Sequence, residues 1–422
     1  MRTSLRTFLD EVVPESRPAL EQALADLARV AAQPPYLPFS SIPTLHFASV
    51  VLFDRPGSTP LLALESNFDG RLDPYLVELV GAAEPWLQQL FGCCADFPSP
   101  RPNRTGLAEY LRRRVVKPAA FHVGNVGRSV SRIRQECELR EDLSRRIDAR
   151  QSAGFRPADS NAAFSLIDGE LRSAGRYGWV DQPHLRQTFV ERIWPWTRLG
   201  LTAMALTLLA VALLPILLIG GAILLVILRR HETSEVPVRP TPVDPIHLSR
   251  LAAQEDHRVQ NHYASVSVVK PGRFRRATLR VVLWTVNLLA RTSTNGSLCG
   301  IPTVHFAQWA LVDRGRRLLF LSSFDGSWES YLDDFIDKAS PGLTAIWINT
   351  EGFPSSRFVA RGAATNSAAI KAFARQQQMP SAVRYTAYPD LTVQQIDSHS
   401  ILREGLACRP QGKALTDWLR RW

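Results

Sequence analysis

Two histidine–aspartate pairs are the residues whose types and spacing could do chemistry. His305 is followed by Asp325, and the same arrangement occurs earlier as His46 and Asp69. On a hairpin turning at Arg314-Gly315-Arg316, positions 305 and 325 fall opposite each other on one face. An imidazole oriented by a carboxylate can serve as a general base, a metal ligand or a haem ligand. The competing reading makes Phe-Asp-Gly a turn, in which Asp caps the following helix and Gly supplies a positive φ. His305 is then a structurally satisfied histidine. The catalytic candidates are therefore His305, Asp325, His46 and Asp69. Tyr385, Tyr388 and Asp390 could line a ligand cleft at a strand end, and they fit aromatic packing on a sheet equally well.

Other polar groups carry less. Glu255, Asp256, His257 and His262 form a cluster, but on a helix the two imidazoles would point about 140° apart, which is poor for one metal. No metal site is assigned. Asp333, Asp334 and Asp337 read as a solvated helix face. The chain has no P-loop, no G-x-G-x-x-G in a strand–helix context, no H-E-x-x-H and no G-x-S-x-G.

The elements that must position these residues come in two copies. Ile42-Pro-Thr-Leu-His-Phe-Ala48 returns as Ile301-Pro-Thr-Val-His-Phe-Ala307, and Ser66-Asn-Phe-Asp-Gly70 as Ser322-Ser-Phe-Asp-Gly326. Tyr75-Leu76 matches Tyr331-Leu332, Phe97-Pro98 matches Phe353-Pro354, and Leu139-Arg-Glu141 matches Leu402-Arg-Glu404. Matches recurring in one order indicate an internal repeat. In the second copy the pattern predicts strands over Val304–Asp313, Arg317–Phe324, Leu343–Ile348 and Ala382–Tyr388. It predicts helices over Trp328–Lys338, Asn366–Gln378 and Thr392–Leu406, the last capped by Thr392. The expected fold is α+β: two ferredoxin-like repeats that pair as in dimeric α+β barrels, joined by a membrane-inserted hydrophobic helix or hairpin. The expected order is a helical extension (1–41), the first repeat (42–150), a linker (151–193) and the membrane segment (194–230). A proline-rich linker (231–250), a polar segment with an interfacial helix (251–298), the second repeat (299–408) and a tail (409–422) follow.

The strings EDHRVQNHYASVSVVKPGRFRR, IPTVHFAQW, SSFDGSWESYLDDFIDKAS and AYPDLTV resemble an uncharacterised family of bacterial two-repeat, membrane-associated proteins. Some of its members are described as, or fused to, peroxidase- or catalase-like proteins. The resemblance spans roughly Leu45 to Leu406, and the second copy is the more similar. It implies a ferredoxin-like fold and an oxidative or lipid context, and it transfers no catalytic residue.

From Leu199 to Leu228 there are 30 residues without a charge. As a straight helix they would extend about 45 Å, against a hydrocarbon core of ~30 Å. Trp194 and Trp196 read as interfacial aromatics, and Arg198, Arg229 and Arg230 as flanking charges. Pro215 and Gly220-Gly221 allow a re-entrant hairpin, while a single kinked span remains the alternative. The stretch Phe274–Arg291 reads as a helix lying among headgroups, with Arg275, Arg276, Arg280 and Trp284 in contact with lipid.

Composition sets the bounds. In 422 residues, 50 basic against 39 acidic side chains give a formal charge of +11, and 45% apolar content excludes a disordered or collagen-like chain. Arginine supplies nearly all the positive charge, and it clusters beside the hydrophobic stretches rather than among exposed aromatics. The expected partners are therefore a bilayer and anionic headgroups rather than nucleic acid, with a homo-oligomer left open. Five cysteines without framework spacing read as reduced thiols facing a cytosol. These features lead to an inner-membrane protein with its repeats in the cytoplasm, holding a lipid-derived or small apolar ligand between them. The other class they allow is a haem- or peroxide-linked oxidoreductase using His305 or His46.

Overall fold

The computed structural model describes residues 3–36, 38–54, 58–152, 154, 159–181, 242–255, 257–292, 297–354 and 367–420, with isolated positions between 200 and 230. These divide into two compact units.

Among the described residues the first unit carries all the strands: β1 (Thr3–Glu11), β2 (Leu45–Phe53), β3 (Leu61–Asp69), β4 (Val115–Val116), β5 (Ala120–Val123), β6 (Gln260–Val268), β7 (Val304–Val312), β8 (Arg317–Asp325) and β9 (Ser381–Thr386). They form two antiparallel sheets, ordered β4-β1-β3-β2-β9 and β5-β7-β8-β6. The protein is thus α+β. Helices α1 (Arg17–Ala31), α2 (Leu72–Phe91), α3 (Arg104–Arg113) and α4 (Val130–Ser152) belong to the first repeat, and α5 (Ser160–Ser173) follows them. After α6 (Pro245–Ala252) come α7 (Arg273–Thr292), α8 (Trp328–Lys338), α9 (Ser340–Trp347), α10 (Ser367–Gln377) and α11 (Val393–Cys408), then α12 (Gly412–Leu419).

The repeats are completed by exchange. β9, late in the second repeat, pairs with β2 of the first, whereas β5, late in the first, pairs with β7 of the second. Each crossing begins at the opposite sheet: β4 pairs with β1, and Gln378 bridges Ser265 just before β9. Alternation on the strands buries one apolar set between the sheets, made of Val51, Phe53, Leu61 and Ala63 against Ala264, Val266, Ala310, Val312, Leu319 and Leu321. The opposite faces pack on helices. Leu62, Leu64 and Phe68 share a core with α1 and α2, and Trp309, Phe320 and Phe324 share one with α7, α8 and α9.

Several expectations change. Thr3–Glu11 is a full strand paired with β3, so the first repeat begins there rather than at Ile42, and 1–41 is not a helical extension. The second repeat likewise begins at β6 rather than at 299. Leu343–Ile348, read as a strand from its apolar run, is mostly α9, whose Leu343, Ile346 and Trp347 are buried. A short apolar run does not distinguish a buried strand from a buried helix. The capping of the last repeat helix is reciprocal: Gln395 N donates to Thr392 Oγ1 (3.1 Å), and Thr392 N donates to Gln395 Oε1 (2.8 Å).

The inner-membrane anchoring is corrected as well. Among the described residues no helix is long and apolar enough to cross a membrane. Trp194, Trp196, Arg198 and most of 199–228 lie outside the described residues, and Arg229 and Arg230 are isolated described positions. The supposed interfacial helix is α7, which stands between β6 and β7 as α1 stands between β1 and β2. Its Leu279 and Leu283 enter the core beside β7 and β8, and Arg275 is 1% exposed rather than extended toward headgroups. Arg276 is half-buried, Arg280 is exposed and Trp284 is 62% exposed.

The described residues of the second unit are helical. The C-terminal parts of α4 and α11 pack with α5 and α12 through Leu143, Ile167, Leu171, Leu402, Leu406, Leu415 and Trp418. Trp418 Nε1 donates to the Leu402 carbonyl at 3.2 Å. A Cβ at Gly405 would lie 1.9 Å from that nitrogen, so only glycine allows this approach.

Candidate functional site

The two histidine–aspartate pairs form as the hairpin geometry requires. His305 Nε2 lies 2.7 Å from Asp325 Oδ1, and His46 Nε2 lies 3.1 Å from Asp69 Oδ1, all four side chains being buried. A register shift at the same place in each repeat, between Leu45/Phe47 and Val304/Phe306, places an extra residue that turns each imidazole toward its carboxylate. The residue that makes the bulge is the histidine itself. Gly70 and Gly326 then turn the chain at φ +92° and +80°.

The second oxygen of each aspartate caps a helix, though not the next one in sequence. Asp69 Oδ2 accepts from Val130 N at 2.9 Å, at the start of α4. Asp325 Oδ2 accepts from Val393 N at 2.7 Å, at the start of α11. Each aspartate therefore ties a sheet to the helix that follows the exchanged strand. Phe47 and Phe306 meet edge to face between the two pairs, at 5.4 Å.

Tyr388 breaks this symmetry. Its hydroxyl lies 2.8 Å from His46 Nδ1. Burial, together with the nearby Asp69 and Asp325 charges, pushes the phenol well above its ordinary pKa, so it stays protonated and donates. His46 then holds its proton on Nε2, facing Asp69. Both nitrogens of His46 are committed, and it has no lone pair to offer iron or another metal. Among the described residues no group of three or more His, Cys, Asp or Glu could hold a metal ion.

The less obvious cluster is single-copy. Glu65, on β3, is 2% exposed, and its carboxylate takes four hydrogen bonds. His262 Nε2 (2.7 Å) and Ser49 Oγ (3.0 Å) reach Oε2, while Gln308 Nε2 (3.0 Å) and Asn67 Nδ2 (3.2 Å) reach Oε1. Burial alone would raise the Glu65 pKa. The hydrogen bond and charge of His262, helped by Asn67 and Gln308, outweigh it and hold the carboxyl below its usual value. His262 Nδ1 lies 2.7 Å from Ser381 Oγ.

Strand register shows that this chemistry is not repeated. Aligning β3 with β8 through Asp69 and Asp325 puts Leu321 at the position of Glu65. The same pairing puts Leu5 at the position of His262, and alignment of β2 with β7 puts Ser49 at that of Gln308. On the exchanged strands Phe121 stands where Arg384 does. The histidine–aspartate clamps occur twice, as scaffold parts do, whereas the Glu65–His262 cluster occurs once.

A cavity of about 440 Å³ opens beside that cluster. Phe47, Ser49, Val259, Gln260, Arg384 and Tyr385 line it along with Glu65 and His262, and Arg258, His257 and Asp390 stand among its exposed lining. Of the three ligand candidates, Tyr385 and Asp390 are at the cavity, whereas Tyr388 is not among its lining and is engaged with His46. Burial, reinforced by Arg258, lowers the Arg384 pKa to about 10 against the opposing pull of Glu255. Glu255 is itself bonded to Arg375 and Gln378. Gln260 donates to the carbonyls of Tyr388 and Leu391, and its buried Oε1 has no hydrogen-bond partner.

The helical spacing expected for His262 with His257 and Glu255 does not occur. His262 is on β6, and Asp256 lies outside the described residues. Glu65 and Ser49 were missed. The available signal was the repeat itself, aligned position by position and searched for where the copies differ.

His122 is also buried and takes the position of Tyr385 in the first repeat. Burial lowers its pKa to about 4, and its Nε2 has no partner. An unfolded imidazole takes up a proton below about pH 6.5, whereas this one resists it until near 4. Stability is therefore fully present above pH 6.5 and is lost as pH falls toward 4, by up to about 3 kcal/mol from this group. Urea unfolding at pH 7 and pH 4.5 is expected to show that loss, and His122→Gln to reduce it.

Comparison with protein-family models, with curated proteins and with solved structures finds no match.

Proposed function

We propose that the chain is a small-molecule-binding protein, built from two ferredoxin-like repeats of the dimeric α+β-barrel type. Its ligand occupies the cavity beside Glu65 and His262. The apolar body of that ligand lies against Phe47, Val259 and Tyr385, and its anionic end faces Arg384 and Arg258. A short lipid-derived carboxylate has this form.

The observation that carries this reading is the 440 Å³ cavity beside the Glu65–His262 cluster, where the other repeat carries Leu321 and Leu5. Small-molecule sites commonly occupy about 300–1,000 Å³ and combine apolar walls with a few placed polar groups. Two guanidinium groups near one another repel, which an anion would relieve. Of the acidic groups nearby, Glu65 is engaged with His262 and Glu255 with Arg375, which leaves Asp390 in the lining against the two guanidinium groups. A haem-linked oxidation through His46 has less support, because both its nitrogens are already bonded.

Calorimetric titration with decanoate is expected to give saturable binding at one site. Arg384→Gln should weaken it at least about tenfold, the equivalent of ~1.4 kcal/mol. Absence of binding across six- to twelve-carbon carboxylates, or equal affinity in Arg384→Gln, would reject the assignment.

A further inference from the structure

We propose that Ser381, His262 and Glu65 form a hydroxyl–imidazole–carboxylate relay that hydrolyses a small acyl ester and releases its carboxylate into the cavity. This rests on the binding reading and adds a reaction to it.

The geometry is that of an activated nucleophile. Ser381 Oγ and Glu65 Oε2 address opposite nitrogens of one ring, each at 2.7 Å. A base within hydrogen-bond reach of the nucleophile, itself oriented by a third group, is the arrangement such catalysis needs. His262 Nε2 faces Glu65 Oε2, so in the neutral ring the proton sits on that side and Nδ1 is the nitrogen free to take the Ser381 proton. The carboxylate and the imidazole both have leucine counterparts in the other repeat, so the two-repeat scaffold does not require them.

Position supports access. Ser381 opens β9 and keeps 7% of its surface exposed. Met379, Pro380 and Ala382, its neighbours in the chain, line an outer groove of about 840 Å³, and His262 lines the inner cavity. Ser381 itself is in neither lining; it stands between chain neighbours that line the groove and the His262 ring that lines the cavity, to which its hydroxyl is bonded. Arg384, three residues along β9, faces the cavity where a carboxylate product would collect.

The step balances without a redox partner. Ser381 Oγ bonds to the acyl carbon while its proton passes to His262 Nδ1. The ester C–O bond then breaks, and the alcohol leaves with that proton. Water attacks the acyl-serine, giving one proton to Nδ1. The Oγ–acyl bond breaks, Ser381 recovers the proton, and the carboxylic acid departs. One ester and one water become one acid and one alcohol.

The test uses the full chain, a fluorophosphonate probe and p-nitrophenyl butyrate. Peptide mass spectrometry is expected to place one phosphonyl group on Ser381, with none in the mild variant Ser381→Ala. Butyrate ester hydrolysis should fall at least about 100-fold in His262→Gln, and decanoate should slow labelling of the wild type. Folded wild-type protein that leaves Ser381 unlabelled overturns the relay, even where decanoate binds and the binding reading survives. Labelling that decanoate does not slow overturns the claim that the relay serves the cavity's ligand.

Discussion

Glu65→Leu alone is expected to destabilise the folded protein by about 3–5 kcal/mol. His262→Leu in the same chain is expected to restore only the share due to the stranded imidazole, about 1–3 kcal/mol, since Ser49, Asn67 and Gln308 still lack their acceptor. The single change strips His262 of its carboxylate and leaves Ser49, Asn67 and Gln308 without an acceptor, all of them buried. A buried polar group without a partner bears its full desolvation cost. The double change installs the leucines that the opposite repeat carries, at Leu321 and Leu5. The neighbouring layer between the sheets is already apolar, with Val51, Ala63, Ala264 and Leu321, and can accept them. Urea unfolding of the wild type, both single variants and the double variant measures the cycle. A cluster retained for the scaffold alone would leave the double variant as unstable as the singles.

The second large effect is at the clamps. Asp325→Ala is expected to cost about 3–4 kcal/mol, from an orphaned His305 and the lost cap on α11. Asp325→Asn should cost less, because its amide oxygen can still accept from Val393 N. Asp69→Ala should behave like Asp325→Ala, since it caps α4 through Val130 N and holds His46. Near-neutral Asp325→Ala would show that the carboxylate bridge does not hold the helix to the sheet.

These effects mark what could be read from the sequence. His305 with Asp325 and His46 with Asp69 were legible because both residue types recur in identical local strings, and the hairpin that joins them is short. The strands Val304–Asp313 and Arg317–Phe324 and the helix Trp328–Lys338 were legible for the same reason: alternation and helical spacing are local signals. The strand over Thr3–Glu11 was missed because its partner, β3, lies some sixty residues away. Pairing of β9 with β2 joins positions more than three hundred residues apart, and no local pattern announces it. Thr392 was legible as a cap of α11, but the part Asp325 plays there was not, because an Asp-Gly turn looks the same whichever helix it serves.

The site was harder to see than the fold. Glu65 sits in the string LLALESNFD and would pass for a solvent-facing residue of an alternating strand. Its burial follows from a second sheet closing over it, which brings Gln308 and His262 from more than a hundred residues away. Tyr385 and Asp390 were placed at a cleft on strand-end position alone, and they do line the cavity. The membrane-contact set was read from charge beside apolar runs. Buried Arg275 shows that the same pattern also suits a helix packed on a sheet.

The central claim is that the ligand site is the single-copy cluster and that the duplicated clamps are scaffold. Titration of ¹⁵N-histidine-labelled protein with decanoate, followed by imidazole NMR shifts, tests it most directly. The account predicts saturable movement of the His262 ring resonances, with those of His46 and His305 nearly still. Saturable shifts at His46 or His305 while His262 stays fixed would contradict it.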